Sequence, residues 1–228
     1  MVECQEWEEL LECLFTVTLD ETEDKEVWAL EKSGYFTTSS LYKLLCFPGV
    51  VNQNMKDVWD SKIPLKIKFF VWQVFNDKLQ SDENLIKGKW LGHLECELCG
   101  VPDTTNHIVF TCILPVFIWN ICKDELGWDS VPKCDETWLS NIMNGCSRKK
   151  RLRLIFLFGC VAWTLWLTRN DLIFRNIVLS SPLSCIYRVT SFLQKWNVLN
   201  GAEDRKWVAK VVSSLNSRAY VLQDSDGS

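Results

Sequence analysis

Four residues of the chain have the types and the spacing of a metal site. The segment CELCGVPDTTNHIVFTC places them as Cys-x2-Cys-x7-His-x4-Cys, at Cys96, Cys99, His107 and Cys112. A Cys-x-x-Cys turn presents two thiolates on one side of a tight loop, and a later His and Cys can complete a tetrahedron around one ion. Three thiolates and one imidazole leave no position open for a substrate. The spacing therefore predicts a structural Zn²⁺ site rather than a catalytic one.

Two other interpretations of these cysteines stay open at this point. A redox-active Cys-x-x-Cys pair needs a helix N-terminus to lower the pKa of one thiol, whereas Gly100 and Pro102 shortly after Cys99 predict a turn. Coincidence is the other alternative, because the chain has 11 cysteines. Both of its histidines lie near the pair, however, and His93 is the residue that could replace one of the ligands. Zinc remains the interpretation that the spacing favours.

Several further motifs flank the cluster in a regular order. They consist of Trp59, Pro64, Lys66, Phe70, Trp72, Asp103 and Trp119 around it, Trp28, Gly34, Phe36, Ser40 and Tyr42 upstream, and Trp166, Arg169, Asn170 and Phe174 downstream. In this order they resemble the reverse transcriptase zinc-binding domain of plant LINE-type (non-LTR) retrotransposons, over roughly residues 25 to 175. The family usually has Glu at the position of Asp103.

The resemblance implies an accessory domain that helps a reverse transcriptase to hold its nucleic acid. The chain contains no Tyr-x-Asp-Asp or similar pair, and phosphoryl transfer at two metal ions needs clustered carboxylates. We therefore expect a zinc domain that is not an enzyme by itself and that binds RNA or DNA weakly, without sequence preference. A structural or protein-interaction remnant with no nucleic-acid role is the alternative.

Charge is distributed unevenly, although the net charge is only −4. Residues 1–26 contain ten acidic residues against the single base Lys25, whereas basic residues concentrate in 61–90 and 148–175. Basic surfaces can face phosphate. The predicted nucleic-acid contacts are Lys62, Lys66, Lys68, Arg148, Lys149, Lys150, Arg151 and Arg153. The run at 148–153 has two other interpretations, a solvated first helical turn or a nuclear-import signal.

Hydrophobic periodicity predicts a mainly α-helical, bundle-like fold with a short β-hairpin and a small zinc-bound loop. The composition, with 47% hydrophobic residues, 12 Trp and 12 Phe, is ample for a core. The hairpin is expected over 26–38, around Lys-Ser-Gly. Phe69, Trp72, Phe75 and Leu79 have helical spacing and are expected to face the core.

The chain is expected to divide into five segments. They are an acidic N-terminal segment at 1–24, a zinc-binding domain at 25–126, a linker at 127–147, a C-terminal helical region at 148–218 and a disordered tail at 219–228. An odd number of cysteines and an acidic N-terminus favour the cytoplasm or the nucleus. The apolar run at 154–167 is shorter than the roughly 20 residues of a membrane helix, so no membrane contact is expected.

Overall fold

The computed structural model describes most of the chain after the acidic N-terminus. The described residues are 25–46, 53–89, 91, 94–133 and 146–226. The predicted acidic segment 1–24, His93 and most of the predicted linker 127–147 lie outside them. The chain divides into two compact units, 1–51 and 52–228. The boundaries of the five predicted segments stay predictions.

The first unit contains turns followed by helix α1, Thr38–Cys46. The β-hairpin predicted over 26–38 is wrong, since no residue of the described range forms a strand there. Instead, the amide of Trp28 donates to the carbonyl of Gly34 at 2.7 Å, and the φ of +73° at Gly34 closes a turn. The indole of Trp28 donates to Ser40 Oγ at 2.7 Å, which folds the segment back onto the start of α1. The alternating apolar residues of this segment therefore belong to a turn and not to two paired strands.

The second unit is helical throughout its described part, apart from its turns and one isolated β-bridge. Its elements are α2 (Gln53–Asp60), α3 (Leu65–Phe75), α4 (Asp82–Lys87), a π-helix (His107–Thr111), α5 (Ile113–Leu126), α6 (Arg148–Arg175), α7 (Leu183–Trp196), a 3₁₀ turn (Asn197–Leu199) and α8 (Ala202–Asp226). Helix α8 passes residue 218, so residues predicted as a disordered tail are helical as far as Asp226. Ala219, which is buried, and Leu222, which packs against the core, extend its apolar side.

Helix α6 is the centre of the second unit and contacts α2, α3, the π-helix, α5 and α7. The ring of Phe158 stacks against Trp119 with centroids 5.7 Å apart, and against Phe75 at 5.2 Å. Gly159 allows the close approach of α6 to the start of α3, because a Cβ there would lie 3.2 Å from Ile63. The aromatic stack and this glycine together fix α6 between the zinc-bearing segment and the other helices.

By length and composition alone, α6 is also a helix that could cross a membrane, among the residues that the structure describes. Of its most apolar 18-residue window, 61% is buried inside the protein. The buried core helix of a globular protein passes the same test. We therefore keep the interpretation of α6 as a core helix.

Helix α3 has two apolar sides, and the sequence prediction of the core side is only partly correct. Phe75 packs against the core as expected. The residues that it buries are Ile67, Phe70, Val71 and Val74. Phe69 and Trp72, expected in the core, are 52% and 38% exposed. Both sides have helical spacing, and the packing of α6 decides which one is covered. Leu79, beyond the end of α3, is buried as expected.

Candidate metal centre

The four predicted ligands lie together in the structure. Their donor atoms, three Sγ and one imidazole nitrogen, are all within 4.8 Å of one another. The Sγ atoms of Cys96 and Cys112 are 3.9 Å apart, those of Cys99 and Cys112 are 3.8 Å apart, and His107 Nε2 is 3.2 Å from Cys99 Sγ. A tetrahedron with Zn–S bonds of about 2.3 Å has S–S edges of about 3.8 Å. The donor set therefore has the chemistry and the size that Zn²⁺ requires.

A tight turn presents the first two ligands. The amide of Cys96 donates to the carbonyl of Val101 at 2.8 Å, and the amide of Gly100 donates back to the carbonyl of Cys96 at 2.8 Å. Gly100 has a φ of +71°, which side-chain-bearing residues rarely adopt. The amide of Leu98 points at Cys96 Sγ from 3.5 Å, where it can stabilise a thiolate. Cys99 thus lies in a turn, as predicted, and lacks the helix N-terminus that a redox pair needs.

The π-helix supplies the other two ligands. His107 is its first residue, and Cys112 follows its last. The amide of Cys112 donates to the carbonyl of His107 at 3.0 Å, which is the i to i−5 bond of a π-turn. The amide of His107 itself donates to Thr104 Oγ1 at 3.0 Å. The wide turn brings a histidine and a cysteine five positions apart to the same point, where the sequence predicts only a loop.

Burial sets the protonation of the ligands before an ion is bound. It raises the pKa of Cys112 to about 12 and also raises the pKa of Cys96. Burial lowers the pKa of His107, which the carboxylate of Asp103 opposes in part. Buried thiols therefore keep their protons at neutral pH unless a cation replaces them, and Zn²⁺ binding releases protons. These groups suit a closed structural site.

Arg169 of α6 stabilises the segment that carries the ligands by pairing with two buried carboxylates. Its Nε donates to Asp103 Oδ2 at 3.0 Å, and its Nη2 donates to that oxygen and, at 2.6 Å, to Asp82 Oδ1. Asp103, between the two pairs of ligands, is 1% exposed. Burial raises the pKa of Asp103, and the Arg169 guanidinium offsets only part of that rise. Arg169 thereby holds the ligand-bearing segment against α6 and the start of α4.

Sequence reasoning identified Asp103 and Arg169 only as separate motif residues. Their opposite charges were the available signal, but 66 positions separate them in the chain. For Asp82 the sequence indicates only a place in the first turn of a helix capped by Ser81. Ser81 Oγ does accept from the amide of Asn84 there, at 3.4 Å.

The predicted phosphate contacts at the start of α6 are mostly engaged in ion pairs within the protein. The pairs are Arg148 with Asp60 at 2.8 Å, Arg151 with Asp57 at 2.6 Å, Arg153 with Asp204 at 2.7 Å, and Lys149 with Glu203. Lys150 is the member of this run that makes no ion pair with a described residue. The pairs join α6 to α2 and α8, so this run acts within the fold. A phosphate would have to compete with those carboxylates.

Replacing Arg151 by Met is expected to destabilise the protein by about 3 kcal/mol, because it leaves the Asp57 carboxylate buried without its cation. Asp57 is fully buried, with a side-chain exposure of 0%. Urea denaturation of the zinc-loaded chain measures the effect. Arg148→Met is the control, since its exposed pair with Asp60 contributes at most about 1 kcal/mol. Equal destabilisation in the two variants would contradict this assignment.

The three lysines predicted around α3 are arranged differently. Lys62, Lys66 and Lys68 make no ion pair with any residue in the described part of the chain. Lys66 Nζ lies 5.3 Å from the centre of the Trp163 ring, and Lys68 Nζ donates to the carbonyl of Trp59. Burial lowers the pKa of Lys68, and the nearby charge of Lys62 lowers it further. These ammonium groups are therefore more available to an anion than those of the run at 148–153.

The cluster lies in a part of the chain that is similar to a known zinc-binding family. Residues 36–119 match the family described as zinc-binding in reverse transcriptase. The matched range includes all four ligands, and zinc is confirmed as the cofactor.

The chain is also similar to a longer curated protein of Arabidopsis thaliana, which carries the name ribonuclease H protein. The two are 23% identical over 181 residues, which cover 77% of this chain and 28% of the relative. The aligned part thus spans little more than a quarter of the relative's length. No solved structure matches the chain.

Proposed function

We propose that the chain provides the accessory zinc domain of a plant LINE-type retroelement reverse transcriptase. The domain catalyses no reaction by itself and helps to hold RNA or DNA, weakly and without sequence preference. The family match over residues 36–119 and the plant relative support a retroelement origin. The cytoplasm or the nucleus is the proposed location, because reducing compartments keep zinc-binding thiols reduced.

The way the carboxylates are used supports a non-catalytic role. Asp103 and Asp82 are held by Arg169, Asp57 is held by Arg151, and the zinc ligands form a closed set. Two-metal phosphoryl transfer needs carboxylates that converge on metal ions. Here the described carboxylates of the core neutralise arginines and join helices. We propose that these acidic residues stabilise the fold and that phosphoryl transfer is carried out by other domains.

The nucleic-acid part of the proposal rests on Lys62, Lys66 and Lys68, whose ammonium groups are available to phosphates. All three come from the α2–α3 region and form no salt bridge with a described residue, and the carboxylate whose charge acts on Lys68 is that of Asp60, which pairs with Arg148. Lys62 and Lys66 are exposed. Ammonium groups that contact phosphates give affinity and register but carry no base information. Binding through them should therefore be weak and indifferent to sequence.

Changing the three lysines together to Gln is expected to weaken binding to a labelled oligonucleotide about tenfold at low salt. The slope of log affinity against log salt should flatten by about 0.7 for each phosphate that the variant no longer neutralises. A salt titration of the full chain, zinc-loaded, measures both quantities. The matched control changes three exposed lysines of α7 and α8 to Gln, namely Lys195, Lys206 and Lys210, with the same reduction in charge. Equal effects in both triple variants would mean that only net charge matters.

The alternative function is a structural or protein-interaction remnant. The ion pairs of the run at 148–153 favour it, because they engage most of the predicted phosphate contacts inside the protein. Absence of any binding by the unmodified chain at low salt would select this alternative.

The oligonucleotide should in any case stay intact and unextended when Mg²⁺ and nucleotides are added.

A further inference from the structure

Helix α3 presents a row of large apolar side chains to solvent. Leu65, Phe69 and Trp72 are 63%, 52% and 38% exposed. Trp59 of α2 is 38% exposed and meets Phe69 edge to face, with ring centroids 5.1 Å apart. We call these four residues the aromatic face. Contiguous exposed apolar side chains of this kind mark interaction sites.

The aromatic face is separate from the core side of α3. At about 100° per residue, positions 65, 69 and 72 lie in one row on the side opposite Ile67 and Val74. Those two residues are buried. Helix α3 therefore packs on the core through its other side. The aromatic face is left available to a ligand.

Cations border the aromatic face. On the same helical projection, Lys66 and Lys68 lie on either side of the row formed by positions 65, 69 and 72. Lys62 precedes the helix, close enough to Lys68 to lower its pKa, and the carboxylate that opposes this effect on Lys68, that of Asp60, is itself paired with Arg148. An occupant of this surface must offer flat apolar groups to the rings and negative charge to the borders. A nucleic-acid strand offers both, since its bases have π-faces and its backbone carries phosphates.

We propose that the aromatic face is a stacking platform for the unpaired bases of a single-stranded nucleic acid, with Lys62, Lys66 and Lys68 on its phosphates. This inference rests on the proposed function and specifies its ligand and its site. In a duplex the faces of the bases are stacked on one another, so only an unpaired strand can place them on Phe69 and Trp72. The same chemistry accepts RNA or DNA.

The test replaces both rings by leucine, as Phe69→Leu with Trp72→Leu, in the full zinc-loaded chain. Leucine keeps the helix and the apolar character but removes the π-face. Binding to a single strand is expected to weaken by about fivefold to a hundredfold, the range of one stacked base. Binding to an abasic strand of equal charge should not change, and the salt slope should stay the same. Two exposed aromatic residues elsewhere, in Phe174→Leu with Tyr220→Leu, serve as the control.

Several outcomes would overturn the platform while leaving the proposed function in place. Wild-type chain that binds a duplex or an abasic strand as tightly as the intact strand would show that phosphate contacts alone are used. An unchanged affinity of the leucine variant, with zinc content and circular dichroism equal to wild type, would show that Phe69 and Trp72 do not stack on bases and would overturn the platform. Failure of the wild-type chain to bind any strand at low salt would overturn both the platform and the proposed function.

Discussion

Replacing Cys112 by Ser is expected to remove Zn²⁺ from the chain and to unfold the segment that holds it. Cys112 Sγ lies 3.9 Å and 3.8 Å from the Sγ atoms of Cys96 and Cys99, so its removal takes away one of the four ligands and both of these S–S edges. Structural zinc contributes folding free energy directly, about 10 to 16 kcal/mol in zinc-finger peptides. Zinc content after dialysis against a chelator should fall from one ion per chain to near none. Near-ultraviolet circular dichroism should report that the fixed packing has disappeared.

Cys146→Ser is the matched control for this change. Cys146 is partly exposed and lies outside the cluster, so the variant should keep its zinc. Retention of one zinc ion per chain by the Cys112→Ser variant would contradict the ligand set. Loss of zinc from both variants would point to general unfolding rather than to removal of a ligand.

Replacing Arg169 by Met is expected to destabilise the zinc-loaded protein by about 3 to 5 kcal/mol. The variant leaves two carboxylates, Asp82 and Asp103, buried without their shared cation. Urea denaturation gives the change in the free energy of unfolding. Competition with a chelator should also show weaker zinc binding, because Asp103 lies in the segment that carries the ligands.

Arg175→Met on the same helix is the control for Arg169. Its pair with Asp171 is a surface pair, with the arginine side chain 71% exposed, so its removal should cost less than about 1 kcal/mol. A similar cost for both variants would mean that the buried network contributes no more than a surface pair. Unchanged zinc affinity in Arg169→Met would limit the role of Arg169 to packing.

The zinc ligands were predictable because spacing and side-chain chemistry are local properties of a sequence. The partner of Asp103 was not, because Arg169 reaches it only when α6 crosses the zinc segment. Exposure of Phe69 and Trp72 was equally hidden, since both sides of α3 have helical periodicity and tertiary packing chooses between them. In the first unit, the hydrogen bond of Trp28 to Ser40 outweighed a strand-like pattern.

The range of the chain that carries the zinc ligands is not a module that can be excised at its own boundaries. Helix α6 lies outside the matched range 36–119, yet it packs on α2, α3, the π-helix and α5. A fragment that ended at Leu126 would keep every zinc ligand but expose the Trp119 ring that Phe158 covers and leave Asp103 without Arg169. For expression or for grafting onto another protein, a piece that keeps these contacts must therefore include the helices from α2 through α8.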